Sequence, residues 1–417
     1  MTKKLIISIT SMVVIGMFAC KQEFTPTEVT TTRPNSAELA KQYHYSNVPV
    51  HMGFERFANL LKVEDPTKAS LFGFDTKVLK EGDMVDIIGV TDAKAELGRV
   101  LFYDTQLSIN NSVACGSCHH QSQGFSDGGQ AFSKGHQEGL TTRNSMAIIN
   151  PGMIRAGMFW DRRESTVRTM SLNPVQNHIE MGMESLSFLE AKLSKIDYYA
   201  PLFKDAYGTT KITSSDISDA MTAFLRSMVS WDSRFDQGLK NKFADFTSEE
   251  KKGMEIFMGK SANLSGTATT FSTLPSGACN TCHSAPMFND GNTVNAYYDV
   301  DFLANLTSGG IDIGLDKQSK DAGAKNGGFK IPSLRNIELT GPYMHDGRFK
   351  TLEEVVEHYS TGIKASPGLS SRLQDINGKP KKFDFKDDEK RALVAFLKTL
   401  TDKTFIADTK YSDPFAK

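Results

Sequence analysis

The residues best equipped for chemistry stand in two runs of one pattern, Cys115-Gly116-Ser117-Cys118-His119 and Cys279-Asn280-Thr281-Cys282-His283. In a C-x-x-C-H run the two thiols can each form a thioether to a haem vinyl group. The histidine after the second thiol is then held under the iron as its proximal ligand. The rival chemistry is a closed zinc site, which asks for four protein ligands. Each run offers three, and together they use four of the five cysteines, so sulfur cannot complete either site. The pattern predicts two covalent c-type haems, attached through Cys115, Cys118, Cys279 and Cys282, with His119 and His283 on the irons.

Each run has a helical lead-in. Asp92 to Asp104 places Leu97, Val100 and Leu101 at helical spacing. Before the second run, Thr247 and Glu250 form a capping-box pattern for a helix burying Met254, Phe257 and Met258. The parallels continue. Phe125-Ser126-Asp127-Gly128 is echoed by Phe288-Asn289-Asp290-Gly291, Arg143-Asn144 by Arg335-Asn336, and Trp160-Asp161-Arg162-Arg163 by His345-Asp346-Gly347-Arg348. Spacings differ, which indicates a diverged duplication rather than a repeat array. Ile217, Met221, Phe224, Leu225 and Met228 share one helix face. Leu393, Phe396, Leu397 and Leu400 share another. Lys260 to Gly277 and Leu306 to Gly328 read as loops, and no alternating stretch supports a large sheet.

Composition narrows the function classes. The chain has 417 residues, room for two domains with sizeable cores, and a net charge of −1 from 48 basic and 49 acidic residues. No basic block stands out, so nucleic acid is not an expected partner. Only Cys20 remains outside the two runs, which excludes a disulfide framework. It follows Lys3, Lys4 and a 14-residue apolar stretch, Leu5 to Phe18. That stretch is short of the ~20 residues of a membrane-spanning helix and suits a signal peptide. Ala19-Cys20 looks like a bacterial lipoprotein processing site, although Met17 and Phe18 are not its usual residues. A cleaved signal that happens to contain a cysteine is the alternative. Either form is exported, and c-type haem attachment is completed outside the bacterial cytoplasm. Lys21 to about Asn35, rich in Thr and Pro, reads as a tether.

Beyond the haem runs, four stretches are distinctive. They are Phe159-Trp160-Asp161, the run Pro174-Val175-Gln176-Asn177-His178-Ile179-Glu180-Met181, the run Pro332-Ser333-Leu334-Arg335-Asn336, and Gly341-Pro342-Tyr343-Met344-His345-Asp346-Gly347. With these, the chain from about residue 90 to residue 405 resembles the bacterial di-haem cytochrome c peroxidases and their MauG-like relatives. The resemblance implies that the first haem reduces hydrogen peroxide and the second takes in electrons. It implies a distal acid at Glu180, 20 residues after an inter-haem tryptophan at Trp160. A positioned carboxylate shuttling a proton between the peroxide oxygens is typically worth about 10²–10⁴-fold. Trp160 is expected both to pack and to relay electrons. The glutamine common ten residues after that tryptophan is Met170 here, whereas Pro174 matches the family's proline.

The same resemblance implies that His136 could cap the first haem in a resting state. By residue type alone, a lone histidine in a Gly- and Lys-containing loop is a solvent residue. His120 and His178 read as surface or supporting positions. Calcium between the halves is implied at Asn144 and the carbonyls of Thr340 and Pro342, oxygen ligands of the kind calcium takes. Met344, His345, His358 and Tyr359 compete for the sixth position of the second haem. Leu352, Val355, Val356 and Tyr359 share one helix face, whereas His358 falls beside Glu354, where a solvent-side pair is expected. The family position matching Tyr359 is methionine in the classical peroxidases and tyrosine in MauG-like members. The expectation is therefore His283/Tyr359 ligation, with packing of Tyr359 as core the alternative.

The expected architecture is mostly α, two fused cytochrome-c-like domains with one covalent haem each. Its expected divisions are a signal peptide (1–20), a tether and extension (21–83), a peroxidatic domain (84–243) and an electron-transfer domain (244–417). The expected reaction is reduction of hydrogen peroxide to water with electrons from a small cytochrome or cupredoxin. A MauG-like oxidase acting on a partner protein and a non-catalytic di-haem electron carrier are the alternatives. The expected location is the periplasmic side, anchored to a membrane through a lipid on Cys20, with a homodimer left open.

Overall fold

The computed structural model describes residues 33–39, 41–45, 90–154, 157–259, 279–283, 285, 288–289, 315 and 328–415. Apart from Arg33, all fall in one compact unit, Pro34–Lys417. The expected signal stretch, Cys20 and nearly all of the tether lie outside the described residues, as do the loop 260–277 and most of 306–328. Among the described residues the fold is helical, with isolated bridges in place of strands. No described helix is long and apolar enough to cross a membrane.

Two halves repeat one packing device. In the first, helix α1 (Asp92–Tyr103), N-capped by Thr91, crosses α2 (Ser214–Ser227). The crossing is so close that a Cβ on Gly98 would lie 2.1 Å from the Ala220 carbonyl oxygen and 2.7 Å from Phe224 Cβ. Helix α3 (Arg234–Asn241), expected with the first half, packs Phe235 and Leu239 into the second core; α4 (Ser248–Met258) follows, and its Thr247–Glu250 capping box forms as its sequence predicts. Helix α4 crosses α6 (Asp387–Lys398), and a Cβ on Gly253 would meet the Ala392 oxygen at 1.8 Å and Phe396 Cβ at 2.9 Å. Only glycine admits either approach. The amphipathic faces read from the sequence are the faces buried here: Ile217, Met221 and Phe224 in one core, Leu393, Phe396 and Leu400 in the other.

The internal echo needs one correction. Asn336 has a counterpart in Asn150, not in Asn144. Asn150 has φ 50°, its N–H donates to Met228 O (3.1 Å), and its Oδ1 accepts from Ser230 N (2.7 Å). Asn336 has φ 59°, donates to Leu400 O (3.0 Å) and accepts from Asp402 N (2.7 Å). Each asparagine ties a left-handed turn to the chain leaving a half's last helix. The adjacent arginine in Arg143-Asn144 disguised the true equivalence. The Trp160/His345 echo is geometric: bridges Met158–Glu164 and Tyr343–Phe349 enclose the same positive-φ turn, at Phe159 and Met344.

Both described chain ends pack on the first half. Residues 403–415, expected with the second half, pack on the first, where Phe405 and Tyr411 enter its core. Tyr103 Oη donates to Tyr411 O (2.7 Å) and Gln121 Nε2 to Asp408 O (2.8 Å). The described N-terminal piece joins the same core through Tyr45.

Candidate haem sites and the wall between them

Both C-x-x-C-H runs fold into the same single turn. Cys118 and His119 N–H groups donate to Cys115 O (3.1 and 3.0 Å), as those of Cys282 and His283 donate to Cys279 O (3.1 and 2.8 Å). Each turn carries two thiols, none of them in a disulfide, and one imidazole. His119 Nδ1 lies 2.7 Å from Phe125 O, and His283 Nδ1 lies 3.3 Å from Phe288 O and 3.1 Å from Pro332 O. A carbonyl accepts, so Nδ1 carries the proton and Nε2 keeps its lone pair. Burial favours the same neutral form: it lowers the His119 pKa and brings His283 down to about 4. Two thiols and an Nε2 donor steered by a fixed Nδ1–H fit a c-type haem at each turn. Among the described residues no three His, Cys, Asp or Glu side chains converge as a metal cage.

The second turn faces a cavity whose wall includes Cys279, Cys282, His283, Leu352, Val356 and Tyr359. Helix α5 (Leu352–Glu357), capped by Thr351 and Glu354, supplies the apolar side. It runs into a wider π-turn, His358–Gly362, that carries Tyr359. Burial raises the Tyr359 pKa, and the Cys282 and Cys279 thiols facing it add to the rise. The expected solvent-side His358–Glu354 pair is not the arrangement here. His358 is buried with its ring 5.4 Å from that of Phe349, while the exposed Glu354 carboxylate accepts from Thr351 N. Widening of the helix at His358 changes the periodicity on which the expected pairing relied.

The first turn faces Glu180. Its carboxylate raises the pKa of both thiols, which burial already pushes up, Cys115 to about 12 and Cys118 to about 11. Burial raises Glu180 itself, and the Arg163 guanidinium partly offsets this. Arg163, Pro174, Asn177, His178 and Glu180 line one cleft. Asn177 holds the loop: Oδ1 accepts from Ile179 N (2.9 Å), while Nδ2 donates to Glu180 Oε1 (2.8 Å). Sequence reasoning passed over Asn177. An asparagine three residues before the candidate acid was the available signal, since Asn side chains bond backbone N–H groups two residues on. Arg163 stacks 3.7 Å over Phe159 and pairs with Asp161 (2.8 Å). Burial pushes Asp161 up, but Arg143 and Arg163 hold it below the usual carboxylate range.

His136 is buried, against its solvent reading from residue type. Its N–H donates to Glu180 O (2.9 Å), and a Cβ on Gly182 would lie 2.4 Å from its Cε1. Its Nδ1 makes no hydrogen bond among the described residues. The tight Gly135–Ile179 approach, where a Cβ would reach 1.6 Å, draws the loop inward. Met170 ends the short Val167–Met170 helix and packs against the first core. His178 is exposed at the cleft rim.

Trp160 stands on the wall of the second-turn cavity, and its Nε1 donates to Asn144 O (2.9 Å). Its ring centroid is 6.5 Å from Phe329 and from His345, which stack on each other at 3.7 Å. Asn144 N donates to His345 O (2.7 Å), and its Nδ2 donates to Gln130 O and Ala131 O (3.0 and 3.3 Å). Asn144, Thr340, Pro342, Met344 and Trp160 all belong to the second-turn cavity wall.

The sequence model described as di-haem cytochrome c peroxidase matches residues 92–244. The methylamine utilization protein MauG of Methylorubrum extorquens is 31% identical over 315 residues, 75% of this chain and 79% of that protein. Cytochrome c551 peroxidase of Nitrosomonas europaea is 29% identical, covering 74% and 79%. The crystal structure of a MauG-like protein associated with microbial copper homeostasis aligns with TM-score 0.62 at 31% identity, over 78% of this chain and 94% of that one. The diheme peroxidase BthA from Burkholderia thailandensis shares the fold at 20% identity and TM-score 0.60, over 76% and 88%. With two C-x-x-C-H turns in matching geometry and relatives of both kinds, the chain belongs to the di-haem cytochrome c peroxidase and MauG-like family.

Proposed function

We propose that this protein reduces hydrogen peroxide to water at the first site, with electrons taken from a small redox protein through the second. Membership in a di-haem family implies two c-type haems and an oxidoreductase. The observation that carries the finer reading is Glu180, a half-buried carboxylate held by Asn177 and facing Cys115 and Cys118. A bound first haem would supply the redox centre at which peroxide is reduced. The chain's own residues handle the protons. Glu180 accepts the proton leaving one peroxide oxygen and returns it to the other, the role for which a carboxylate of raised pKa is suited. Asn177 fixes which oxygen of Glu180 turns to the cleft, and Arg163 favours its ionised form. Trp160, hydrogen-bonded at Nε1 and flanked by His345, is the relay between sites. Asn144, Thr340 and Pro342 would hold calcium beside it, and His136 is the imidazole that a capped resting form would use. A plain electron carrier has no use for the acid.

A MauG-like role, oxidation of a partner protein, is the second reading, and Tyr359 favours it. A tyrosinate ligand stabilises oxidised iron, whereas methionine raises the potential. Export and lipid attachment at Cys20 remain part of the proposal. The deciding experiment is steady-state turnover of peroxide with a reduced cytochrome donor, by the fully haem-loaded protein and its Glu180→Gln variant. Fast wild-type turnover that falls about 10²-fold or more in the variant is expected. Equal turnover in both would remove Glu180 from the mechanism. Slow turnover in both would favour the MauG-like reading.

A further inference from the structure

Residues 363–386 form an arm between the Tyr359 turn and α6. Its outer part is a small hairpin: Asp375 N donates to Lys379 O (2.7 Å) and Lys381 N to Leu373 O (2.8 Å). The Asp375 carboxylate is turned into the tip, accepting from Asn377 N (2.8 Å) and Lys379 N (2.9 Å). The base is fixed to the second site. Ile363, Leu369 and Leu373 form an apolar cluster against Tyr359 and Phe383. Arg372 Nη1 donates to Thr281 O (2.9 Å), inside the C-x-x-C-H run, and Arg372, Leu373 and Phe383 line the cavity.

The arm's outer surface differs from the rest of the chain. Residues 363–386 as a whole carry six basic residues against two carboxylates, within a protein of net charge −1, and all six but Arg372 and Lys381 are exposed. Lys364, Lys379 and Lys382 are exposed and make no ion pair among the described residues. At the hairpin tip Ile376 is 100% exposed. An exposed aliphatic tip on an arm that also carries exposed cations, hung from the wall of a redox site, suits a small and short-lived encounter. Weak electron-transfer complexes have interfaces of this minor size, and their charges act mainly on the association rate.

We propose that this arm is the docking surface for the electron donor, and that the donor is a small redox protein with an acidic face. The proposal rests on the reading that electrons come in through the second site, and it adds the donor's chemical class. Cations on the arm attract the acidic face over roughly a Debye length, about 10 Å at 0.1 M salt. Ile376 then makes the apolar contact, and Arg372 joins that contact to the haem attachment turn. An anionic lipid surface would also meet lysines and an isoleucine. The donor is favoured because the arm's base is the cavity wall itself, where an electron must arrive.

The test is stopped-flow reduction of the oxidised, haem-loaded protein without peroxide. The probes are a reduced basic mitochondrial cytochrome c and its succinylated, acidic form. The acidic form should react about 10-fold faster or more at low salt, and the preference should fade by about 0.5 M salt. Lys379→Glu with Lys382→Glu should reverse the preference. Ile376→Ser should slow the acidic probe several-fold at every salt concentration. Equal rates for both probes, no reaction with either, or no effect of charge reversal would each overturn the proposal. If the charge reversal abolishes co-sedimentation with phosphatidylglycerol vesicles and leaves both probe rates intact, the arm is a lipid surface and the proposal fails. Peroxide turnover with a small neutral reductant reports on Glu180 independently, so failure of the peroxidase reading is distinguishable from failure of the docking surface.

Discussion

Replacement of Asn177 by alanine isolates how the acid is tuned. Asn177 Nδ2 donates to Glu180 Oε1 across 2.8 Å, a bond to a carboxylate in a partly desolvated cleft. Hydrogen bonds to charged groups contribute about 1.5–3 kcal/mol. This one favours the ionised form of Glu180, against the burial that raises its pKa. A base works only when ionised, so kcat/KM should fall as pH drops through the Glu180 pKa. Without the amide the carboxylate is less stable and the acid limb moves to higher pH. On that limb kcat/KM should drop about 10- to 100-fold, since about 1.4 kcal/mol is one factor of ten. Well above the limb the loss should shrink to the cost of poorer positioning. Asn177→Asp keeps the acceptor for Ile179 N but sets a second carboxylate against Glu180. It should move the limb further in the same direction. The assay is the pH profile of kcat/KM for peroxide in fully haem-loaded protein. A uniform loss at every pH, with the limb unmoved, would show that Asn177 only shapes the loop and would refute the electrostatic argument.

Three further outcomes are expected. Tyr359→Phe should alter the electronic and EPR spectra of the second haem, and unchanged spectra would leave Tyr359 as packing alone. Arg335 and Asp236 form a fully buried two-bond ion pair (2.7 and 2.8 Å), with the guanidinium 4.2 Å from the Trp231 ring. Arg335→Leu should cost about 3–5 kcal/mol in guanidinium unfolding followed by circular dichroism, because Asp236 would stay buried without its cation. A cost below about 1 kcal/mol would contradict that account. Cys20→Ala should release the protein from the membrane fraction, and recovery of the variant in that fraction after signal cleavage elsewhere would exclude lipid on Cys20.

Much of this protein is determined locally and could be read from its residues. A C-x-x-C-H run closes its own turn through bonds to its first carbonyl, so both haem turns are legible from five residues each. Helix faces at 217–228 and 393–400 follow from spacing, and the α4 start from its Thr247–Glu250 box. Tertiary structure decided what depends on residues distant in sequence. His136 is buried because Gly135 admits the Ile179 carbonyl and Gly182 admits the imidazole, neither of which residue type reveals. Asn150, not Asn144, matches Asn336 because both bond the chain leaving a helix some 65 to 80 positions later. His358 turns inward because the helix widens after Glu357 and breaks its own period. Residues 403–415 cross to the first core because Phe405 and Tyr411 complete its aromatic packing with Phe125 and Phe224, a preference invisible without the partner surface.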